Sequence, residues 1–190
     1  MRVKIMDHYL DIRLRSDPDF ASIVLLGALV SKLHRTLARR AKGDIGISFP
    51  SFRGNYLGEH LRLHATKETL LEFMQEDWLA GMRDHVIVGT AALVPVDARH
   101  RVVRRVQAKS SPERLRRRLM RRHGLTAEQA QMSIPISAAQ RLELPHVQIC
   151  SASTGQRFPL FVEHGALASA GQRGAFSSYG LSDTATVPWF

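Results

Sequence analysis

Residues 8–15, HYLDIRLR, alternate strictly: Leu10, Ile12 and Leu14 face one way, Asp11, Arg13 and Arg15 the other. A period of two with one apolar side predicts a half-buried strand. After the turn residues Ser16, Asp17, Pro18 and Asp19 the period changes. Ile23, Leu26, Leu29, Val30, Leu33 and Leu37 recur at helical spacing, which predicts a helix over 21–41 ended by Gly43. A short strand is expected over 44–50 (DIGISFP), then a loop over 51–57. Residues 59–64, EHLRLH, alternate again, with Leu61 and Leu63 inward. Thr66 is placed to cap a helix reaching about Leu79 and carrying Leu70, Leu71, Phe73 and Met74. Residues 85–96, HVIVGTAALVPV, read as a strand interrupted near Gly89.

The order is strand, helix, strand, strand, helix, strand. That is the split βαβ order of a ferredoxin-like domain, an antiparallel sheet with both helices on one face. Beyond it, a helix is expected from Pro112 to Gly124, and a shorter one opened by Thr126 and Gln129 and stopped by Pro135. Residues 146–164 read as a strand, a Ser/Thr/Gly turn and a strand. Residues 176–181 and the terminal VPWF close the fold. The expected class is α+β: a ferredoxin-like (βαββαβ) domain over 1–98 and a smaller α+β domain over 99–190. The fold alone does not fix a function. The strands at 44–50 and 59–64 offer only Phe49 as a stacking aromatic, so the sheet is a poor platform for RNA bases.

Charge changes the picture. The chain has 27 Lys or Arg and 17 Asp or Glu, net +10. Residues 99–123 hold eleven Lys or Arg against one acid, Glu113, so this window accounts for the whole excess. A local device of that kind is aimed at a polyanion. Its second half is helical: Ser110 and Glu113 have capping-box spacing, Pro112 falls in the first turn, and Gly124 supplies a left-handed end. At about 100° per residue, Arg114, Arg117, Arg118, Arg121 and Arg122 share one face, with Leu115 and Leu119 on the opposite flank. Five like charges on one face repel by a few tenths of a kcal/mol per pair, a cost that an anionic partner removes. Arginine suits bidentate work on phosphates and guanine edges. The bland alternative is a solvated basic face. A membrane-surface helix needs more Trp, Phe and Leu than this one offers.

Other totals bound the answer. A length of 190 residues suits one domain or two small ones. No apolar run of 18 residues suggests a membrane span, and MRVKIMDHYL lacks a signal-peptide core. The single cysteine, Cys150, cannot form an internal disulfide and fits a reducing cytoplasm, the location expected.

Nine histidines raise the question of a metal. His60 and His64 are four apart, but their segment alternates as a strand and no further ligands or paired cysteines lie nearby. Neither a metal nor a cofactor is expected. Phosphate-loop, dinucleotide and G-x-S-x-G motifs do not occur. His34 sits at the edge of the first helix's apolar stripe. A structural core-edge histidine is the simpler reading from spacing, and proton transfer the other. Ser151, Ser153 and Thr154 cluster in a turn, which turn chemistry alone explains. Tyr179 has the plain reading of a core ring with a wet hydroxyl.

The segments MDHYLDIRLR, KLH at 32–34, RVQAKSSPERLRRRLMRRH at 105–123, STGQRF at 153–158, YGLS at 179–182 and the terminal VPWF carry a resemblance. Together they resemble the CRISPR repeat-RNA endoribonucleases of type I-F systems, the Csy-type processing enzymes. The resemblance covers almost the whole chain from Met6. It implies that the arginine helix lies in the major groove of a repeat stem-loop. By position it implies His34, Ser151 and Tyr179 as catalytic residues. Arg105 and Gln107 correspond to a pair that reads base edges at the bottom of the stem, and Phe158 to an aromatic stacking beside the cleavage point. Arg117, Arg118, Arg121, Arg122 and His123 correspond to the groove helix, with Lys109, Arg114 and Ser153 as further RNA contacts.

The implied activity is metal-independent cleavage of the repeat stem-loop in precursor RNA, leaving a 2′,3′-cyclic phosphate and a 5′-hydroxyl. The enzyme is expected to remain on the hairpin as a subunit of a type I-F effector complex. Free, it is expected to be a monomer with no membrane partner. A non-catalytic hairpin-binding protein is the first alternative. A protein reading duplex DNA with the same helix is the second.

Overall fold

The computed structural model describes residues 6–107, 112–134, 142–150 and 155–190. Its first sheet contains β1 (His8–Leu14), β2 (Gly46–Ser48), β3 (His60–Ala65), β4 (Val86–Val88) and β5 (Ala92–Leu93). The order is β2-β3-β1-β4, with β5 also on β1, and all pairings are antiparallel. With α1 (Ser22–Arg40) and α2 (Lys67–Gln75) interleaved, this is the ferredoxin-like arrangement. The strand expected over 85–96 is two short ones. Between them the Gly89 N–H donates to Asp11 O at 2.8 Å, so the broken strand stays on β1.

One face of the sheet is the core. Leu10, Ile12 and Leu14 of β1, Ile47 of β2 and Leu61 and Leu63 of β3 are buried with the apolar sides of both helices. Thr66 caps α2 by accepting from Thr69 N. Three helix expectations need correction. α1 ends on Ala41, itself left-handed at φ 50°, ahead of Gly43. Ile23 is 40% exposed, because the buried set of α1 begins one turn in, at Leu25. α2 stops at Gln75 and leaves Leu71 50% exposed; beyond it Glu76 pairs with Arg39 and Arg40 of α1.

The second sheet contains β6 (Arg99–Val106), β7 (His146–Cys150), β8 (Arg157–His164) and β9 (Thr186–Trp189), in the order β7-β8-β6-β9 and antiparallel throughout. β6 is the first half of the basic window, so that window is two elements of different kinds. Val102, Val103 and Val106 give it strand character, and Val103 is buried. Both sheets belong to one compact unit, residues 6–106 and 144–190. A second unit, 107–143, holds α3 (Pro112–His123) and α4 (Ala127–Ser133). No helix among the described residues is long and apolar enough to cross a membrane.

β3 was expected to be wet on one side. Instead Arg62 and His64 are buried as well as Leu61 and Leu63. The C-terminal segment covers that face. Arg62 grips Asp11 through Nε at 2.6 Å and Nη2 at 3.0 Å, donates to Phe190 O, and lies over the rings of Phe190 and Tyr9. A Cβ on Gly46 would stand 2.7 Å from Val187 of β9 and 2.8 Å from Phe176, which accounts for a glycine inside this strand. His64 Nε2 lies 2.8 Å from Ser48 Oγ. Nearby, His164 stacks on Phe52 at 3.9 Å and meets the edge of Trp189.

Burial pushes the His64 imidazole down to about 3 and, with the Arg101 charge beside it, His164 down to about 4. Burial alone would raise the Asp11 carboxyl; His60 and Arg62 reverse that and hold it well below the usual carboxylate range. In the unfolded chain both imidazoles take a proton near pH 6.5, and in the folded chain they resist it. Their contribution to stability is therefore complete above about pH 6.5 and is lost as the pH falls toward 4. Asp11 adds a loss only below its unfolded value of 3.8. Tm should fall by roughly 5 °C or more between pH 7 and pH 5, and His164→Phe should lessen the fall. A Tm that is flat over this range in scanning calorimetry would contradict the burial of these rings.

Candidate active site and basic helix

The site begins with a glycine. Gly27 lies in the middle of α1, where glycine costs about 1 kcal/mol against alanine. A Cβ there would stand 2.3 Å from the carbonyl oxygen of Gln148 on β7. Its absence lets the α1 backbone lie directly on the second sheet, while β1 supports the helix from the first. Seven residues on, nearly two full turns, His34 comes round to the same side.

There it meets the turn at residues 177–180. His34 Nδ1 lies 3.0 Å from Ser178 O. A carbonyl only accepts, so Nδ1 carries the proton and donates it, and in the neutral ring Nε2 keeps its lone pair. The ring stacks on Tyr179 with centroids 3.8 Å apart and planes 2° from parallel. Arg105 of β6 places its guanidinium 4.7 Å from the Tyr179 centroid and 5.5 Å from that of Phe158 on β8. His34, Tyr179, Arg105 and Phe158 thus come from four separate stretches of sequence into one cluster. Ser151 follows Cys150, the last residue of β7. Ser151, Ser153 and Lys109 lie outside the described residues, as does the Ser110 cap.

The remaining arginines of β6 serve the fold. Arg101 lies over Trp189 at 4.5 Å and donates to Gly165 O at 2.9 Å. Arg104 forks onto Glu163 at 2.9 Å, and Arg99 donates to Leu167 O. Of the strand arginines, Arg105 is the one aimed at the His34 cluster. His60 and His64 are likewise occupied separately, His60 Nε2 standing 2.9 Å from Asp11 Oδ1. Among the described residues no three His, Cys, Asp or Glu side chains are grouped to hold a metal.

The second unit is built on α3. Arg114, Arg117, Arg118, Arg121, Arg122 and His123 are exposed, while Leu115, Leu119 and Met120 are half-buried. Gly124 ends the helix at φ 64°, its N–H donating to Met120 O at 2.9 Å. Arg116, off the basic face, donates from Nε to Ile134 O at 2.8 Å and so closes the end of α4. α4 opens with a capping box between Thr126 and Gln129. Gln107 is exposed at the start of this unit.

Periodicity and spacing left out Ser178, whose contribution is a backbone carbonyl. They also left out Gly27, although a glycine amid apolar helix residues signals a close approach.

The family described as CRISPR-associated protein (Cas_Csy4) matches residues 9–190. The chain belongs to the Cas_Csy4 family. A relative in Pseudomonas aeruginosa (strain UCBPP-PA14), named CRISPR-associated endonuclease Cas6/Csy4, is 50% identical over 187 residues, covering 97% of this chain and 100% of the relative. A second of the same name, in Escherichia coli (strain UTI89 / UPEC), is 46% identical over 186 residues, covering 97% and 100%. Within this Cas_Csy4 chain, His34 joins Tyr179, Arg105 and Phe158 from α1, whose close approach to β7 at Gly27 has no room for a Cβ.

Gly27→Ala ought to stabilise an ordinary helix by about 1 kcal/mol. Here the overlap with Gln148 should reverse the sign, for a net loss of roughly 1–3 kcal/mol in urea unfolding. A stabilised Gly27→Ala protein would contradict the close approach of α1 to β7.

Proposed function

We propose that the chain is an endoribonuclease that recognises the stem-loop of a CRISPR repeat in precursor RNA and cuts at its base. The observation that carries the reading is the His34 ring, with Nδ1 committed to Ser178 O and its face on Tyr179. That arrangement leaves Nε2 as the acceptor of a proton. Membership of the Cas_Csy4 family and relatives named as endonucleases support the same reading.

RNA supplies its own nucleophile, which is why the chemistry needs neither metal nor cofactor. His34 Nε2 takes the proton of the 2′-hydroxyl at the cleaved nucleotide. The freed 2′-oxygen attacks the adjacent phosphorus, and the bond from phosphorus to the 5′-oxygen of the next nucleotide breaks. That oxygen leaves and takes up a proton. The products are a 2′,3′-cyclic phosphate and a 5′-hydroxyl, and the atoms balance without water entering the first product. Tyr179 holds the imidazole plane, and Ser151 keeps the 2′-hydroxyl and phosphate in line. Arg105 and Gln107 read base edges beside the cut, and Phe158 stacks on a neighbouring nucleotide.

Grip is the task of α3. Phosphates of the stem accept from Arg114, Arg117, Arg118, Arg121, Arg122 and His123, with Lys109 and Ser153 adding contacts. A-form RNA has a deep, narrow major groove, and a slim arginine-faced helix enters it where a short hairpin opens. Cutting at the base leaves those contacts intact, so the enzyme keeps the hairpin and joins a type I-F effector complex through it. It works in the cytoplasm, as a monomer until then.

The test is a repeat hairpin incubated with the protein in EDTA. Wild type should cut it. His34→Ala should cut at least about 100-fold more slowly while binding the hairpin within about twofold of wild type, since His34 makes no part of the arginine face. Cutting that requires added divalent cation would overturn the metal-free mechanism. Binding without cutting by the wild type would favour a hairpin-binding module instead.

A further inference from the structure

The Ser177–Gly180 turn does more than present Tyr179. Its Ser177 N–H donates to Leu181 O at 2.8 Å, its Gly180 N–H to Ser177 O at 2.8 Å, and its Tyr179 N–H to Ser177 Oγ at 3.3 Å. The whole turn hangs from β2 by one bond, the Ile47 N–H donating to Gly180 O at 2.8 Å. Gly180 is left-handed at φ 70°, and a Cβ on it would stand 2.6 Å from Cγ2 of Ile47. Ile47 is wholly buried inside the first sheet, so it has no room to yield. Only glycine lets the turn sit this close to β2. Both groups that hold His34, the Ser178 carbonyl and the Tyr179 ring, lie in the two residues immediately before it.

We propose that Gly180 is a positioning residue for the cleavage reaction. By pinning the turn to β2, it sets which nitrogen of His34 carries the proton and the plane in which the ring is held. The inference rests on His34 acting as the base. With the turn in place, the Ser178 carbonyl selects the Nδ1–H tautomer and leaves Nε2 free for the 2′-hydroxyl. With the turn lifted off β2, that carbonyl moves away, the two tautomers mix, and the stacked face loosens. Displacements near 1 Å in such an arrangement lower rates steeply.

The test compares Gly180→Ala with Gly81→Ala. Gly81 has the same φ of 70° but open space around its Cβ position, so it carries the backbone strain without the clash. Nitrogen-15 histidine NMR on the RNA-free protein reads the His34 tautomer, and single-turnover cutting of a repeat hairpin reads the rate. Wild type should show the Nδ1–H form. Gly180→Ala should show mixed tautomers and cut roughly 10- to 100-fold more slowly at saturating protein, with hairpin affinity within about twofold. Gly81→Ala should lose stability alone and keep both the tautomer and the rate. Should Gly180→Ala fail to fold, Ser177→Ala, at an exposed position, loosens the same turn and is read in the same way.

An Nε2–H tautomer in the wild type would overturn the proposal. So would wild-type tautomer and rate in the turn variant. Failure of the nuclease reading looks different. In that case His34→Ala would cut as fast as wild type, while the tautomer measurement, which needs no RNA, would still report on the turn.

Discussion

The contact between the α1 backbone at Gly27 and the β7 backbone at Gln148 binds the two sheets of the larger unit to one helix. The place of His34 follows from it. α1 buries Leu26, Leu29, Val30, Leu33 and Leu37 within the shared core, and the same helix lies against β7. Its remaining edge, carrying His34, is thereby delivered to a turn between β8 and β9. A bulkier residue at 27 would hold the helix away from that sheet, and the imidazole would lose its partners without any change to the imidazole itself.

The division of charge is the second organising fact. The basic window looks like one device in the sequence and is two in the structure. In β6, three of four arginines are neutralised or covered, by Glu163, by the Trp189 ring and by backbone carbonyls. The fourth, Arg105, lies over Tyr179 and Phe158. In α3, Arg114, Arg117, Arg118, Arg121 and Arg122 are exposed, and Arg116 alone of that helix's arginines turns in, to Ile134 O. This division suits the proposed nuclease, which would grip its RNA with one segment and position the reacting group with another. Phosphate contacts want mobile, hydrated cations, whereas a positioned base wants packed, satisfied neighbours.

Much of this was legible in the pattern of residues. Alternation found β1, helical spacing found α1 and α2, and the element order led to the ferredoxin-like sheet. The arginine face of α3 was visible because Leu115 and Leu119 mark its opposite side. The misses have physical causes that local periodicity does not encode. β6 escaped notice because arginines mask its three valines. β3 seemed half-wet because nothing local says that Phe190 and Val187 return to cover Arg62 and His64. At the site, the family resemblance pointed to His34 and Tyr179, but Ser178 meets His34 with its backbone carbonyl, which has no side-chain signature.

The most direct measurement is the structure of the protein bound to a repeat hairpin carrying 2′-deoxyribose at the cleaved nucleotide, which traps the uncut state. The 2′ position of that sugar should face His34 Nε2 within roughly 3–4 Å, with Nδ1 still donating to Ser178 O. A sugar docked far from Nε2, or an imidazole turned so that Nε2 meets Ser178, would contradict the account.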